Sequence, residues 1–455
     1  MIAAYKEHIQ FIWILVFMYI MGVWLEPTIY IIFPVVLLMF GMKRRYFELV
    51  VVTIWILILS DYRPVENATY QDLQFAKDLK ILAPLTLFGV FLLNYEDFKP
   101  YPKILVYFIP FFVIISIGLT KSHELSAAIQ RTFSYLLMYA MIPVYIKKLH
   151  IDWGQFFWTS LFTYIIGMLS IGVLLGFAIP DIGILEGSDR FKGIFGNPNG
   201  AGFFSAIVFI LWLILEEFQL IKLSSKERWY TLIILTTSVI WCGSRNSLLT
   251  VIIFYVALRL IKINWFVAVI GIMSFVIFSE YIFYFLVEVI SFFGLGDFFR
   301  IDTLEEGSGR YVAWSFAWSE IVRNYFFIGG GFGAGEYYMH INYAKLSLLG
   351  HQGGIHNSYL SFWFDSGLLG LIAFFGALLR LLLKSMKQNY IALAFAAALF
   401  FNLSYESWLI ASLNPFTIMF LIVLTIIVEN FRVTEEINYL EFTEGFQNIK
   451  SELRC

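Results

Sequence analysis

The sequence predicts an all-α, polytopic integral membrane protein. Of its 455 residues, 60% are hydrophobic and only 14% charged, with a mean hydropathy of +0.78. Apolar runs recur from one end to the other, and the period-2 alternation of a barrel strand is absent. Soluble domains carry ~25% charged residues, so the solvent around most of this chain is lipid. A run of ~17–25 apolar residues crosses a ~30 Å hydrocarbon layer as a helix. Lipid offers no partner to a peptide group, which leaves helices as the spanning element.

The runs fall at 9–25, 28–42, 46–60, 81–94, 104–119, 131–146, 155–179, 199–215, 229–242, 246–260, 263–279, 358–379, 389–407 and 414–429. They make about 12–14 spans, with ends read to about ±2–4 residues. No small-residue cleavage site follows the first, which therefore reads as a retained helix rather than a signal peptide. Lys43, Arg44 and Arg45 separate the second and third; Lys99 and Lys103 separate the fourth and fifth; Lys147 and Lys148 follow the sixth. The eighth opens on Asn-Pro-Asn, the ninth and tenth meet at a Gly-Ser-Arg turn, and the twelfth is interrupted by Gly367 and Gly370. With both termini cytoplasmic, most of the 31 Lys and Arg fall in inside segments, Lys222, Arg228, Lys262, Arg380 and Lys384 among them. The positive-inside rule supports that orientation.

Two outside segments stand out. Residues 61–80 form a polar loop rich in carboxylates and amides. Residues 280–357 are the largest extramembrane segment; its first part, Tyr281 to Phe293, carries Glu288 among apolar residues and reads as an interfacial helix. The chain divides into N-terminal spans (1–180), a region holding the site and the external loop (181–430), and an acidic cytoplasmic tail (431–455). The net charge of −2 and the absence of a basic run longer than Lys43-Arg44-Arg45 argue against a nucleic-acid partner. The two cysteines, Cys242 and Cys455, offer neither a disulfide framework nor a metal site.

Cations at the outer ends of spans need an explanation, because positive charge is disfavoured there. In Ser188–Gly202, Pro198 between two asparagines makes a turn whose amides face outward; Asn199 is the candidate cap of the next helix, Asn197 a supporting residue, and Arg190 and Lys192 candidate anion contacts. Arg245 lies in the Gly-Ser-Arg turn, either snorkelling at the interface or holding an anion. Arg310 follows Gly-Ser-Gly and precedes Trp314 and Trp318 on one helical face. Its planar fork suits phosphate oxygens; the structural alternative is an ion pair with Glu305 or Glu306. His356, followed by Asn357, can accept a proton from a sugar hydroxyl or simply anchor the next helix. His351, Glu280, Glu320 and Glu406 are alternative bases.

In their order and external placement these motifs resemble the O-antigen ligase and polymerase family. The resemblance runs from about Arg190 to Gly370 and takes in Asn-Pro-Asn, the Ser-Arg turn, Arg310 with its trailing tryptophans, Gly-Gly-Gly-Phe-Gly at 329–333, and His-Asn-Ser-Tyr-Leu. It implies a GT-C-like enzyme of the bacterial cytoplasmic (inner) membrane with an outward-facing site. Such an enzyme is a metal-independent inverting glycosyltransferase without cofactor. It takes a glycan from undecaprenyl pyrophosphate and passes it to a glycan or lipid A–core acceptor, alongside chain-length regulator and flippase proteins. On that resemblance Arg245 and Arg310, with Arg190, hold the pyrophosphate and His356 activates the acceptor, with Asn197, Asn199, Asn357 and Trp314 in support. The higher span count and elaborate external loop favour a polymerase of O-antigen, capsule or exopolysaccharide over a ligase. A lipid-linked sugar flippase is the main rival, but transporters bury polar groups at midplane in broken helices and often repeat their halves. A purely structural membrane protein has no use for uncompensated external arginines.

Overall fold

The computed structural model describes residues 6–62, 73–277, 310–351 and 353–432, together with Met1, Phe285, Glu288 and Phe292. The expected interfacial helix at 281–293, the partners Glu305 and Glu306, Glu280, the middle of the 61–80 loop and the tail beyond 432 lie largely or wholly outside the described residues.

Each of the fourteen expected spans has a helix. They are α1 (Ile9–Trp24), α2 (Glu26–Met42), α3 (Tyr46–Asp61), α4 (Leu82–Leu93), α5 (Ile104–Gly118), α6 (Leu125–Trp153) and α7 (Gln155–Ala178). Then come α8 (Pro198–Glu217), α9 (Ser225–Trp241), α10 (Arg245–Ile263) and α11 (Trp265–Ile277), followed before the twelfth expected span by α12 (Arg310–Glu320) and α13 (Ala334–Ile341). The bundle closes with α14 (Ser358–Met386), α15 (Ile391–Leu403) and α16 (Pro415–Glu429). Among the described residues, five helices are long and apolar enough to cross a membrane, and four further apolar helices are shorter. The protein is an all-α, multi-pass membrane protein.

Helices α3, α8 and α16 are apolar all round and buried on nearly every face, forming the centre of the bundle. Around them α14 packs along α5, and α10 along the alanine-rich α15; small residues let helices approach where lipid supplies no hydrophobic drive to associate. Buried hydroxyls return their protons to their own helices: Thr53 to the Leu49 carbonyl, Ser205 to Ala201, Thr250 to Asn246 and Thr425 to Leu421. That bond satisfies the hydroxyl without a partner from lipid.

The two ends of the bundle differ. One end joins Arg44 to Asp97, Lys147 to Glu429, Arg228 to Glu216, Lys262 to Glu217, and the N-terminal ammonium to Glu227. These are the segments the charge bias assigns to the cytoplasm. The other end gathers the starts of α8, α10, α14 and α16 with the end of α15, and it carries the candidate site.

Three expectations need correction. The sixth span, expected at 131–146, runs over 29 residues from Leu125 to Trp153, because polar turns at both ends continue the helix past the apolar run. The thirteenth was expected to reach 407, but α15 stops at Leu403, and 404–414 folds as a hook through a 3₁₀ turn at Trp408–Ile410. Of the two glycines thought to break α14, only Gly367 leaves helical geometry (φ 70°, ψ 178°). There the helix backbone meets the glycine-rich segment: Leu368 N–H donates to the Phe326 carbonyl at 2.8 Å, Gly330 N–H to Phe364 at 3.1 Å and Gly331 N–H to Asp365 at 2.9 Å. A Cβ on Gly329 would lie 2.2 Å from the Asp365 carbonyl carbon, and one on Gly367 2.3 Å from the Phe327 oxygen. The 329–333 glycines thus allow two backbones to touch.

Candidate functional site

The site is built on helix ends. At the start of α14 the Asn357 side chain caps the helix by accepting from Leu360 N–H (3.0 Å) and donates to the Ser404 carbonyl (3.0 Å). Ser358 Oγ donates to the Glu406 carbonyl at 2.6 Å. The hook after α15 is thereby tied to the segment carrying His356. From the other side Trp314, on α12, donates its indole N–H to the Ile355 carbonyl at 2.9 Å. Trp314 therefore buttresses the backbone that leads into the histidine.

Held between these anchors, His356 adopts φ 50°, a left-handed conformation that costs a non-glycine residue ~1–3 kcal/mol and persists only where its surroundings impose it. Glu406 Oε2 lies 3.9 Å from His356 Nδ1, and Glu406 Oε1 lies 3.6 Å from Arg310 Nη2. All three are partly accessible, with side-chain exposures of 32% for His356, 24% for Arg310 and 15% for Glu406. The Arg310 guanidinium also stands 6.0 Å above the Tyr405 ring. On the other side of the imidazole a Cβ on Gly353 would lie 3.0 Å from Nε2, so glycine there keeps that nitrogen approachable.

Arg245 opens α10 in a turn made by Gly243 (φ 60°) and capped by Ser244, whose hydroxyl accepts from Ser247 N–H at 3.4 Å. The next residue, Asn246, donates to the Asn402 carbonyl at 3.5 Å, and the same carbonyl accepts the Glu406 amide at 3.1 Å. Arg245 therefore starts its helix at the foot of the hook that bears Glu406. Asn402 is further fixed by Trp408, whose indole donates to its Oδ1 at 2.8 Å.

Arg190 is placed differently. It is 8% exposed, with Nε donating to the Cys242 carbonyl at 2.9 Å and Nη2 to Asn199 Oδ1 at 2.7 Å. It pins the loop before α8 to the end of α9. The cap of α8 is Asn197, which accepts from Gly200 N–H at 2.8 Å; Asn199, expected as the cap, lies one position past Pro198, inside the helix, and serves Arg190 instead. Lys192 is buried over the Tyr62 ring at 5.3 Å, and burial lowers its pKa from the ordinary lysine value.

Fold and site together define a polytopic α-helical membrane protein in which helix ends at one end of the bundle gather a mixed cationic and acid–base cluster. Residues 230–375, about a third of the chain, match the family model described as O-Antigen ligase, and the match supports the O-antigen ligase/polymerase resemblance. The matched region contains Arg245, Arg310 and His356, and the match supports a likeness to membrane enzymes of O-antigen ligase/polymerase type, which are glycosyltransferase-like in class. No curated protein matches the chain. Glu406 lies beyond the matched region. In the sequence Glu406 is one alternative base among several, and its one signal is a carboxylate between the last two spans.

Proposed function

We propose that the protein polymerises undecaprenyl-pyrophosphate-linked oligosaccharide repeat units on the outer face of the bacterial cytoplasmic membrane, by a metal-independent inverting glycosyl transfer. The observation that carries this reading is the Arg310–Glu406–His356 cluster, assembled at the bundle end opposite the lysine- and arginine-rich one. Arg310, with Arg245, receives the pyrophosphate; two guanidinium groups neutralise the charge that builds on the leaving group. An acceptor hydroxyl then attacks the anomeric carbon from the opposite face. The new C–O bond forms as the bond to the pyrophosphate oxygen breaks, and a single displacement inverts the configuration.

The hydroxyl proton passes to His356 Nε2. Glu406 beside Nδ1 favours the tautomer with its proton on Nδ1, leaving Nε2 as acceptor, and stabilises the imidazolium that forms. Glu406 also neutralises Arg310 before substrate arrives, so the pyrophosphate exchanges one anionic partner for another. The external segment between α11 and α14 and the fourteen helices support a polymerase. A ligase passing finished polymer to lipid A–core or another acceptor shares the same chemistry. A flippase has no need of a base placed between a carboxylate and an approachable face.

Deletion of the gene followed by gel electrophoresis of surface polysaccharide tests the reading. Single repeat units identify a polymerase. Long chains stranded on the lipid carrier identify a ligase, and unchanged polymer removes the proposal.

A further inference from the structure

Arg245 starts α10 and Glu406 sits in the hook after α15, and one buried residue connects the two segments. Asn402, one position before the end of α15, is fully buried. Its backbone carbonyl accepts the Tyr405 and Glu406 amides at 3.0 and 3.1 Å, which turns the chain into the hook. The same carbonyl takes the Asn246 side-chain amide at 3.5 Å. The Asn402 side-chain amide donates to Thr250 Oγ1 at 3.0 Å, and the Thr250 hydroxyl donates to the Asn246 carbonyl at 2.7 Å. A ring of hydrogen bonds is thereby closed between the first turns of α10, just past Arg245, and the root of the hook. Asn402 Oδ1 accepts the Trp408 indole N–H at 2.8 Å, so the same side chain also fixes the 3₁₀ turn of the hook. Trp408 stacks on Phe203 of α8, with ring centroids 4.6 Å apart. A Cβ on the neighbouring Gly202 would lie 3.0 Å from the Ser244 side chain, so α8 backs the hook and the Arg245 turn together.

The ring dictates the residue at 402. The Thr250 hydroxyl gives its proton to Asn246, so towards Asn402 it can only accept, and an indole can only donate. Position 402 must therefore present one donor and one acceptor from the same short side chain. Asparagine does both; aspartate lacks the donor, leucine lacks both, and glutamine carries its amide one carbon too far out. In a dry interior such bonds are strengthened, and polar groups between membrane helices fix how the helices sit. We infer that Asn402 is a positioning residue, setting the separation between the Arg245 turn and the hook that carries Glu406, and with it the fit of a diphosphate between Arg245 and Arg310. The inference rests on the proposed glycosyl transfer and deepens it: Asn402 acts on the substrate through the two segments it ties together.

The test is calorimetric titration of the full-length protein in micelles with farnesyl pyrophosphate, a short isoprenyl diphosphate, beside the melting temperature of each variant. Thr250→Val removes the hydroxyl at nearly constant shape and should weaken binding several-fold per folded molecule. Thr250→Ser restores the hydroxyl and should bind as the wild type does. Asn402→Leu removes both side-chain bonds and should weaken binding further; if it fails to accumulate, the Thr250 pair decides. Wild-type affinity in Thr250→Val, at any melting temperature, makes the ring purely structural and overturns the inference, as does equal weakening in Thr250→Ser and Thr250→Val. Arg310→Lys separates this failure from that of the underlying reading. Binding lost in Arg310→Lys but full in Thr250→Val sinks the inference alone; no binding to the wild type sinks the pyrophosphate reading and the inference with it.

Discussion

The Glu406 carboxylate stands 3.9 Å from His356 Nδ1, although the two residues belong to different interhelical segments. The same carboxylate reaches Arg310 at 3.6 Å, so one acidic group connects the proposed base with the proposed phosphate ligand. Hydrogen bonds from Asn357 and Ser358 to the hook hold this arrangement.

Replacing Glu406 with Gln keeps the shape of the side chain and removes its charge. The imidazolium formed during transfer then lacks its counter-charge, and transfer is expected to fall ~10–100-fold, corresponding to ~1.5–3 kcal/mol for a hydrogen bond to a charged group. His356→Ala is expected to lose ~10²–10⁴-fold. Because the two act as a unit, the double variant should be no slower than His356→Ala. Rates measured in proteoliposomes decide this; a fully additive double variant means that the two residues act separately.

Arg310→Lys retains the charge and loses the fork. The protein should fold normally yet lose most transfer, because a lysine cannot grip phosphate oxygens bidentately. Polymer length on a gel is the readout, and normal length in cells carrying only this variant would remove Arg310 from the site.

Arg190 is expected to act on stability. It is buried and donates to the Cys242 carbonyl and the Asn199 side chain, so Arg190→Ala leaves buried acceptors unsatisfied at a cost of ~1–3 kcal/mol. A lowered melting temperature in detergent, with residual transfer per folded molecule near wild type, is the expected result. An unchanged melting temperature with abolished transfer would instead return Arg190 to the phosphate-binding group.

Gly367→Ala meets two obstacles: a backbone at φ 70° and the Phe327 oxygen 2.3 Å from the new Cβ. The conformational cost alone is ~1–3 kcal/mol, and the contact adds to it. The variant should fail to accumulate in membranes. Gly376→Ala on the same helix, with open space at that position, should accumulate normally. Equal yields would mean that the α14 backbone and the glycine-rich segment do not touch.

The spans were legible because lipid imposes a length and a composition that need no tertiary information. The positions of Arg310 and His356 were legible for a related reason, since charged and polar residues stand out in a chain made mostly of apolar runs. Features set by distant contacts were not. Asn197 and Asn199 flank the same proline, and only the fold decides that one caps α8 and the other receives Arg190. Glu406 carries no local motif, and its importance comes from a hook folded back against α14. Asp365 looks out of place in an apolar run until the Gly333 and Gly335 amides are brought to it. The stacking of His123 on Tyr337, 5.6 Å between ring centroids, joins segments far apart in the sequence, each unremarkable by itself.

The most direct measurement is an experimental structure of the protein in nanodiscs with undecaprenyl pyrophosphate bound. Diphosphate oxygens within hydrogen-bonding distance of the Arg310 guanidinium, near the start of α10 and beside His356, are the predicted result. A diphosphate bound elsewhere, or at the opposite end of the bundle, would contradict the central claim.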